Sequence, residues 1–207
     1  IYQMVVYLGF PGIGVIVVLL HRYMGQTQMT HCRNNKDQFD KYNKKQKEIY
    51  NWIPSIERTV KLPPSMMMQS WMGSDFTNDD LVNQSSMVVD YSHDFMGDTT
   101  IGLYDCWKIA MYPKEEAAVV WGKLEAYISK NDYFQLILKY YDEDEFLINT
   151  MTLSDIREMG GRVIPTKMEM IPTENPDQKT VIIYHDFEYD IDLQESFFSV
   201  QNLKTIR

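Results

Sequence analysis

The chain has 207 residues, 44% of them apolar and 13% aromatic, which suits one domain of ordinary size with a sizeable core. Its net charge of −9 and pI of about 4.9 argue against nucleic acid and against an anionic membrane surface as partners. Two cysteines, Cys32 and Cys106, have no CxxC partner and no nearby His set, which argues against a metal or redox site.

From the N-terminus the pattern is strand after strand. Val5 to Leu20 is an apolar run of 16 residues, short of the roughly 20 that a membrane helix needs. Gly9, Pro11, Gly12 and Gly14 break it, so two strands, Tyr2 to Leu8 and Val15 to Tyr23, explain it better as a hairpin. No signal peptide is visible, as expected of a mature exported protein. Gln26 to Cys32 reads as a third strand and Arg33 to Lys36 as a turn. Gln38 to Asn43 and Glu48 to Ile53 flank a basic hairpin tip, Lys44 to Lys47, and Arg58 to Leu62 is a short strand.

Pro63 and Pro64 then force an extended entry into an apolar segment, Met66, Met67, Met68, Trp71, Met72 and Phe76. Ser65 can cap a short helix to about Gly73, on which Met68, Trp71 and Met72 share one face by their i, i+3, i+4 spacing. Such a face must cover something apolar, and methionine suits ligands of varied shape. Asn78 to Leu81 starts a second helical turn, and Ser86 to Met96 is extended. Strands follow at Tyr104 to Tyr112, Val119 to Ser129, Phe134 to Asp142, Leu147 to Met159, Val163 to Ile171 and Thr180 to Ile191. Regular strands with turn signals between them predict an all-β sheet or barrel.

Alternation assigns faces. In Val181 to Asp192 the odd positions Val181, Ile183, Phe187, Tyr189 and Ile191 are apolar and Asp186, Glu188, Asp190 and Asp192 are acidic, so one face is buried and the other wet. His185 falls on the apolar side as a core residue. Phe134, Leu136, Leu138 and Tyr140 form one row; Val120, Leu124, Ala126 and Ile128 form another. The chain carries no G-x-S-x-G, H-E-x-x-H, GxGxxG or P-loop sequence, and its four histidines, His21, His31, His93 and His185, are scattered. Asp75, Asp79 and Asp80 do not have EF-hand spacing and read as capping and turn residues.

The wording KLPPSMMMQSWMGSDFTNDDLV closely resembles the hallmark segment of the outer-membrane lipoprotein-sorting family, the LolA-like periplasmic carriers of Gram-negative bacteria. The resemblance begins at EIYNWIPSIERTVKLPP, continues through VVWGKLEAYISKNDYFQLILKYYDED and NTMTLSDIREMGGRVIPTKMEMIP, and ends in ESFFSVQNLK, so it spans roughly Glu48 to Arg207. Residues 1–47 carry no family motif, and the helix that normally opens the family's fold has no counterpart there.

The resemblance implies a mainly β fold of one domain over residues 1–207: a curved antiparallel sheet, an incomplete β-barrel, with short helices forming a lid. It implies carriage of lipid or lipoprotein acyl chains toward the outer membrane, possible docking to an inner-membrane transporter, no catalysis and no cofactor. The ligand-binding residues expected on this reading are Trp52, Met66, Met67, Met68, Trp71, Met72 and Phe76 for the lid and cavity mouth, with Leu124, Leu136, Leu138, Ile183 and Phe187 for the floor. A rival reading is a non-catalytic module that docks an envelope transporter or complex; a well-filled core would favour it. Cys32 and Cys106 can pair in an oxidising periplasm, or Cys106 can be a buried thiol in its strand.

Overall fold

A computed structural model describes residues 2–10, 13–23, 49–53, 56–71, 73–82, 86–117, 119–186, 189 and 201. They fall into two compact units. The first comprises Ile1–Met67, Asn78–Ser85 and Tyr189–Arg207; the second comprises Met68–Thr77 and Ser86–Glu188.

The first unit contains two antiparallel hairpins. Strands β1 (Tyr2–Phe10) and β2 (Ile13–Tyr23) pair with Phe10 opposite Ile13 and Gly9 opposite Gly14. The apolar run is thus a hairpin, as its glycines and proline predict. No helix among the described residues is long and apolar enough to cross a membrane. Strands β3 (Tyr50–Ile53) and β4 (Arg58–Lys61) pair with Trp52 opposite Thr59. A 3-10 turn, Pro64–Met66, and the short helix α1 (Asn78–Val82) also belong to this unit. The strands expected at Gln26 to Cys32 and Gln38 to Asn43, and Cys32 itself, lie outside the described residues.

The second unit is a curved, unclosed antiparallel sheet of seven strands in sequential order. They are β5 (Tyr91–Ile101), β6 (Tyr104–Pro113), β7 (Lys123–Ser129), β8 (Gln135–Tyr141), β9 (Leu147–Met159), β10 (Arg162–Pro172) and β11 (Thr180–Ile183). A four-residue helix, α2 (Ser86–Val89), precedes β5 where extended chain is expected from sequence. Turns of two to five residues join β5 to β6, β7 to β8, β8 to β9 and β9 to β10, which makes an antiparallel meander the natural solution there; longer connections lead into β7 and β11. At the turn before β7, Gly122 donates its N–H to the Tyr141 carbonyl at 3.1 Å. A methyl group there would come within 2.4 Å of the Asp142 carbonyl oxygen, so only glycine fits.

The register sorts the side chains. One cross-strand row runs Phe95, Ile109, Ala126, Leu138, Met151, Met170, Thr180, each directly opposite the next. Directly opposed residues share a face, so this face is apolar from edge to edge and ends on a hydroxyl. A parallel row, Met111, Leu124, Tyr140, Asn149, adds to it. The opposite face carries the row Lys108, Tyr127, Ile137, Thr152, Glu169, Val181. A second buried cluster holds Cys106, Phe134 and Leu136, with Ile101, Tyr104, Ile137 and Ile156 packed on it. Tyr104 and Phe134 meet there edge to face at 5.3 Å. Cys106 is a free, buried thiol; burial pushes its pKa up.

Candidate functional site

The sequence predicts one helix from Ser65 to Gly73. Instead, the 3-10 turn ends at Met66 and the chain forms a tight loop over 67–77. Side chains that compete for the backbone explain the difference. Ser70 Oγ donates to the Ser74 carbonyl, and Ser74 Oγ donates to the Trp71 carbonyl at 2.6 Å. The Trp71 N–H then bonds the Phe76 carbonyl at 2.7 Å, and Ser70 bridges Thr77 as an antiparallel pair. Gly73 takes φ +76°, a left-handed value that suits glycine at a turn and ends any helix. Met68 and Trp71 therefore do not lie on a common helical face.

Asp75 fastens the loop to the sheet. Thr180 Oγ1 donates to Asp75 Oδ2 at 2.6 Å and accepts the Asp75 N–H at 2.9 Å. Thr180 is the last member of the apolar row, so the loop is tied to the apolar face at its β11 end. In the first unit, Asn78 Nδ2 donates to the Met66 carbonyl at 2.9 Å and the Asp79 N–H to the Met67 carbonyl, also at 2.9 Å. These bonds use the Asn78 amide and the Asp79 backbone, while the Asp75 carboxylate takes Thr180 as its partner.

The expected lid residues divide by exposure. Trp71 is 7% exposed and Phe76 is buried; Met66 and Met67 are half-buried; Met68 is 57% exposed. Trp52 sits in β3, in the unit that also holds Met66 and Met67. Of the expected floor, Leu124 and Leu138 share the apolar face and are buried. Leu136 is buried in the cluster with Cys106 and Phe134, and burial along β8 alternates through Leu136, Leu138 and Tyr140. Ile183 lies opposite Lys167, on the charged face, and is 51% exposed. Strand β11 ends there, and His185 is exposed. Met72 and Phe187 lie outside the described residues.

Sequence reasoning missed Met111, Met151 and Met170, all buried on the apolar face. The period-two spacing of Met168 and Met170 in Val163 to Ile171 was a usable signal. It also missed Thr180, whose bond to Asp75 spans 105 positions and leaves no local trace.

The opposite face works by charge. Glu125 is buried and accepts from Tyr127 Oη at 2.5 Å, with Lys108 Nζ at 3.2 Å and Lys139 Nζ at 4.0 Å. Burial pushes its carboxyl up, but the hydrogen bonds from Tyr127 and Lys108 and the two lysine charges outweigh that, and its pKa falls below the ordinary value. Burial and the bond to Glu125 push the Tyr127 hydroxyl up. Lys108 and Lys139 lie 5.8 and 5.7 Å from the Tyr127 ring, and Lys123 lies 5.8 and 5.1 Å from the rings of Tyr112 and Tyr141. Lysine stems over tyrosine rings let this face meet water while its lower layer stays dry. Among the described residues no His, Cys, Asp or Glu group has metal-binding geometry.

Residues 32–205 match the model of a protein family whose description reads "-like: Uncharacterized protein", and the chain belongs to that family. Its fold is that of the LolA-like proteins. A DUF1329 family protein from Desulfovibrio piger superposes with a TM-score of 0.72 at 20% identity, over 93% of this chain and 71% of the other. A domain from Vibrio parahaemolyticus described as an outer membrane lipoprotein-sorting protein gives 0.67 at 19% identity, over 76% of this chain and 66% of its own. A LolA superfamily protein from Nitrosomonas europaea gives 0.59 at 16% identity, over 75% and 68%. No curated protein sequence matches the chain.

Proposed function

We infer that the chain is a non-catalytic carrier that shelters the acyl chains of a lipoprotein or lipid against the apolar face of its seven-stranded sheet. The observation that carries this reading is the uninterrupted apolar row from Ile109 to Met170, which ends where the Trp71–Phe76 loop is tied down. An apolar sheet face must be covered, and each acyl methylene left in water costs about 0.8 kcal/mol. The LolA-like fold supports the same reading, and with it a periplasmic location, transfer toward the outer membrane and loading from an inner-membrane transporter.

Uptake of a fluorescent fatty acid by the delipidated protein, with mass spectrometry of the lipid removed, tests this. Met68 is exposed, so Met68→Asp should keep the β-type circular dichroism, while the charge at the rim should weaken uptake by roughly fivefold or more. A wild-type protein that yields no lipid and takes up no probe would overturn the carrier reading and leave a docking module of an envelope complex.

A further inference from the structure

Trp71 has a buried indole N–H that finds no acceptor among the described residues. Buried donors are nearly always paired, so an orphan among the described residues points to a partner beyond them, and a bound molecule is one that fits. An indole N–H only donates, and it is neutral. The loop over 68–77 has a single ionisable side chain, Asp75, whose carboxylate repels an anionic group brought beside it. The same loop is tied to the end of the apolar row at Thr180. The partner that suits these three conditions is a neutral carbonyl oxygen on an otherwise apolar molecule.

We propose that the Trp71 indole N–H receives the ester or amide carbonyl of an acylated ligand, so that the protein selects ester- or amide-linked acyl chains over bare hydrocarbon chains and free carboxylates. This rests on the carrier reading and adds to it the chemical group that is recognised. The apolar row holds the chain without regard to its linkage, and Trp71 reads the first carbonyl. Removing the acceptor leaves the donor buried and unpaired, which makes the discrimination larger than the bond alone would give.

Monopalmitoylglycerol and its ether analogue hexadecylglycerol differ at that carbonyl, and both can displace a fluorescent fatty acid from the full chain. The wild type should bind the ester about fivefold more tightly than the ether. Trp71→Phe should bind the ether as the wild type does and show no preference. Because that variant alters a buried side chain, the wild type gives a second readout. In an indole-¹⁵N-labelled sample the Trp71 N–H resonance should move downfield with the ester and stay in place with the ether. Equal binding of the two lipids by the wild type would overturn the inference and leave the carrier reading intact. Failure of both lipids to displace the probe would overturn the two together.

Discussion

The two faces of the seven-stranded sheet use the same strands one residue out of step, and they solve burial in opposite ways. Ile109, Ala126, Leu138, Met151 and Met170 form a row that holds nothing polar until Thr180. Lys108, Tyr127 and Glu169, with Glu125 and Lys139 in the neighbouring row, form a face that is charged yet partly dry. The charged face completes its own bonding, with Glu125 surrounded by a hydroxyl and two ammonium groups. The apolar face is out of water as well, with Leu138 at 1% and Met170 at 0% exposure, but its contacts are dispersive and have no fixed partner atoms. On the carrier reading a cargo exchanges with those contacts, which a row of methionine and leucine tolerates better than a network of paired charges.

The largest test of the contrast exchanges characters across it. Leu138 is 1% exposed and sits in mid-row. Leu138→Asp should cost roughly 4 kcal/mol or more and abolish cooperative folding, since the cavity and an unpaired charge act together. Lys139→Ser, the next residue on the other face, loses a distant ion pair and stem packing and should cost less than about 1 kcal/mol. Urea unfolding of both variants checks the ratio. Equal costs would mean that the two faces are not chemically distinct.

A backbone variant ranks next. Gly122→Ala should cost about 1–3 kcal/mol, because a Cβ placed 2.4 Å from the Asp142 carbonyl forces the Lys123 and Tyr141 ends of β7 and β8 apart. Its thermal unfolding midpoint should fall. An unchanged midpoint would show that this turn shifts freely.

The charged face predicts a pH dependence. The folded pKa of Glu125 lies below its ordinary value of 4.5, so its contribution is present above that value and is lost as the pH falls through the lowered one. At neutral pH the wild type should exceed Glu125→Gln in stability by about 1 kcal/mol. The gap should close as the pH falls from above the ordinary value of 4.5 through the lowered one. A constant gap across that range would mean that Glu125 carries no net charge coupling.

How much of this was legible in the sequence follows from period and range. Strands β6, β8, β9 and β10 were readable because apolar residues recur every second position, and the antiparallel open sheet followed from short turns. The resemblance at KLPPSMMMQSWMGSDFTNDDLV pointed to the LolA-like fold, which the solved relatives share. Partner choice was not readable. Ile183 was assigned to the floor by extending the alternation of Val181 to Asp192, but its face is set by Lys167 across the strand pair. Leu136 and Leu138 alternate in burial as parity expects, but the cluster that Leu136 makes with Cys106 and Phe134 leaves no local trace in the sequence. The helix expected over Ser65 to Gly73 does not form because the Ser65 cap and the i, i+3, i+4 spacing carry no sign of the backbone bonds that Ser70 and Ser74 make.

The smallest expected effect is the most specific to the contrast, because it tests how the loop is held to the apolar face. Asp75 and Thr180 exchange two hydrogen bonds, one through the Asp75 backbone N–H and one through its carboxylate. Asp75→Ala removes only the carboxylate bond; Thr180→Val removes both while keeping the side chain's shape. Each should cost about 1 kcal/mol, with Thr180→Val somewhat the larger. The double variant should cost no more than Thr180→Val, since the shared bond is lost once. Because the pair ties the loop to β11, the loss should appear as faster amide exchange at Trp71, whose N–H bonds Phe76 within the loop. Exchange at Leu138 in mid-sheet should stay at the global rate in the same variants. If protection at Trp71 holds while Leu138 loses its own, the pair braces the sheet and the loop is fixed by other contacts.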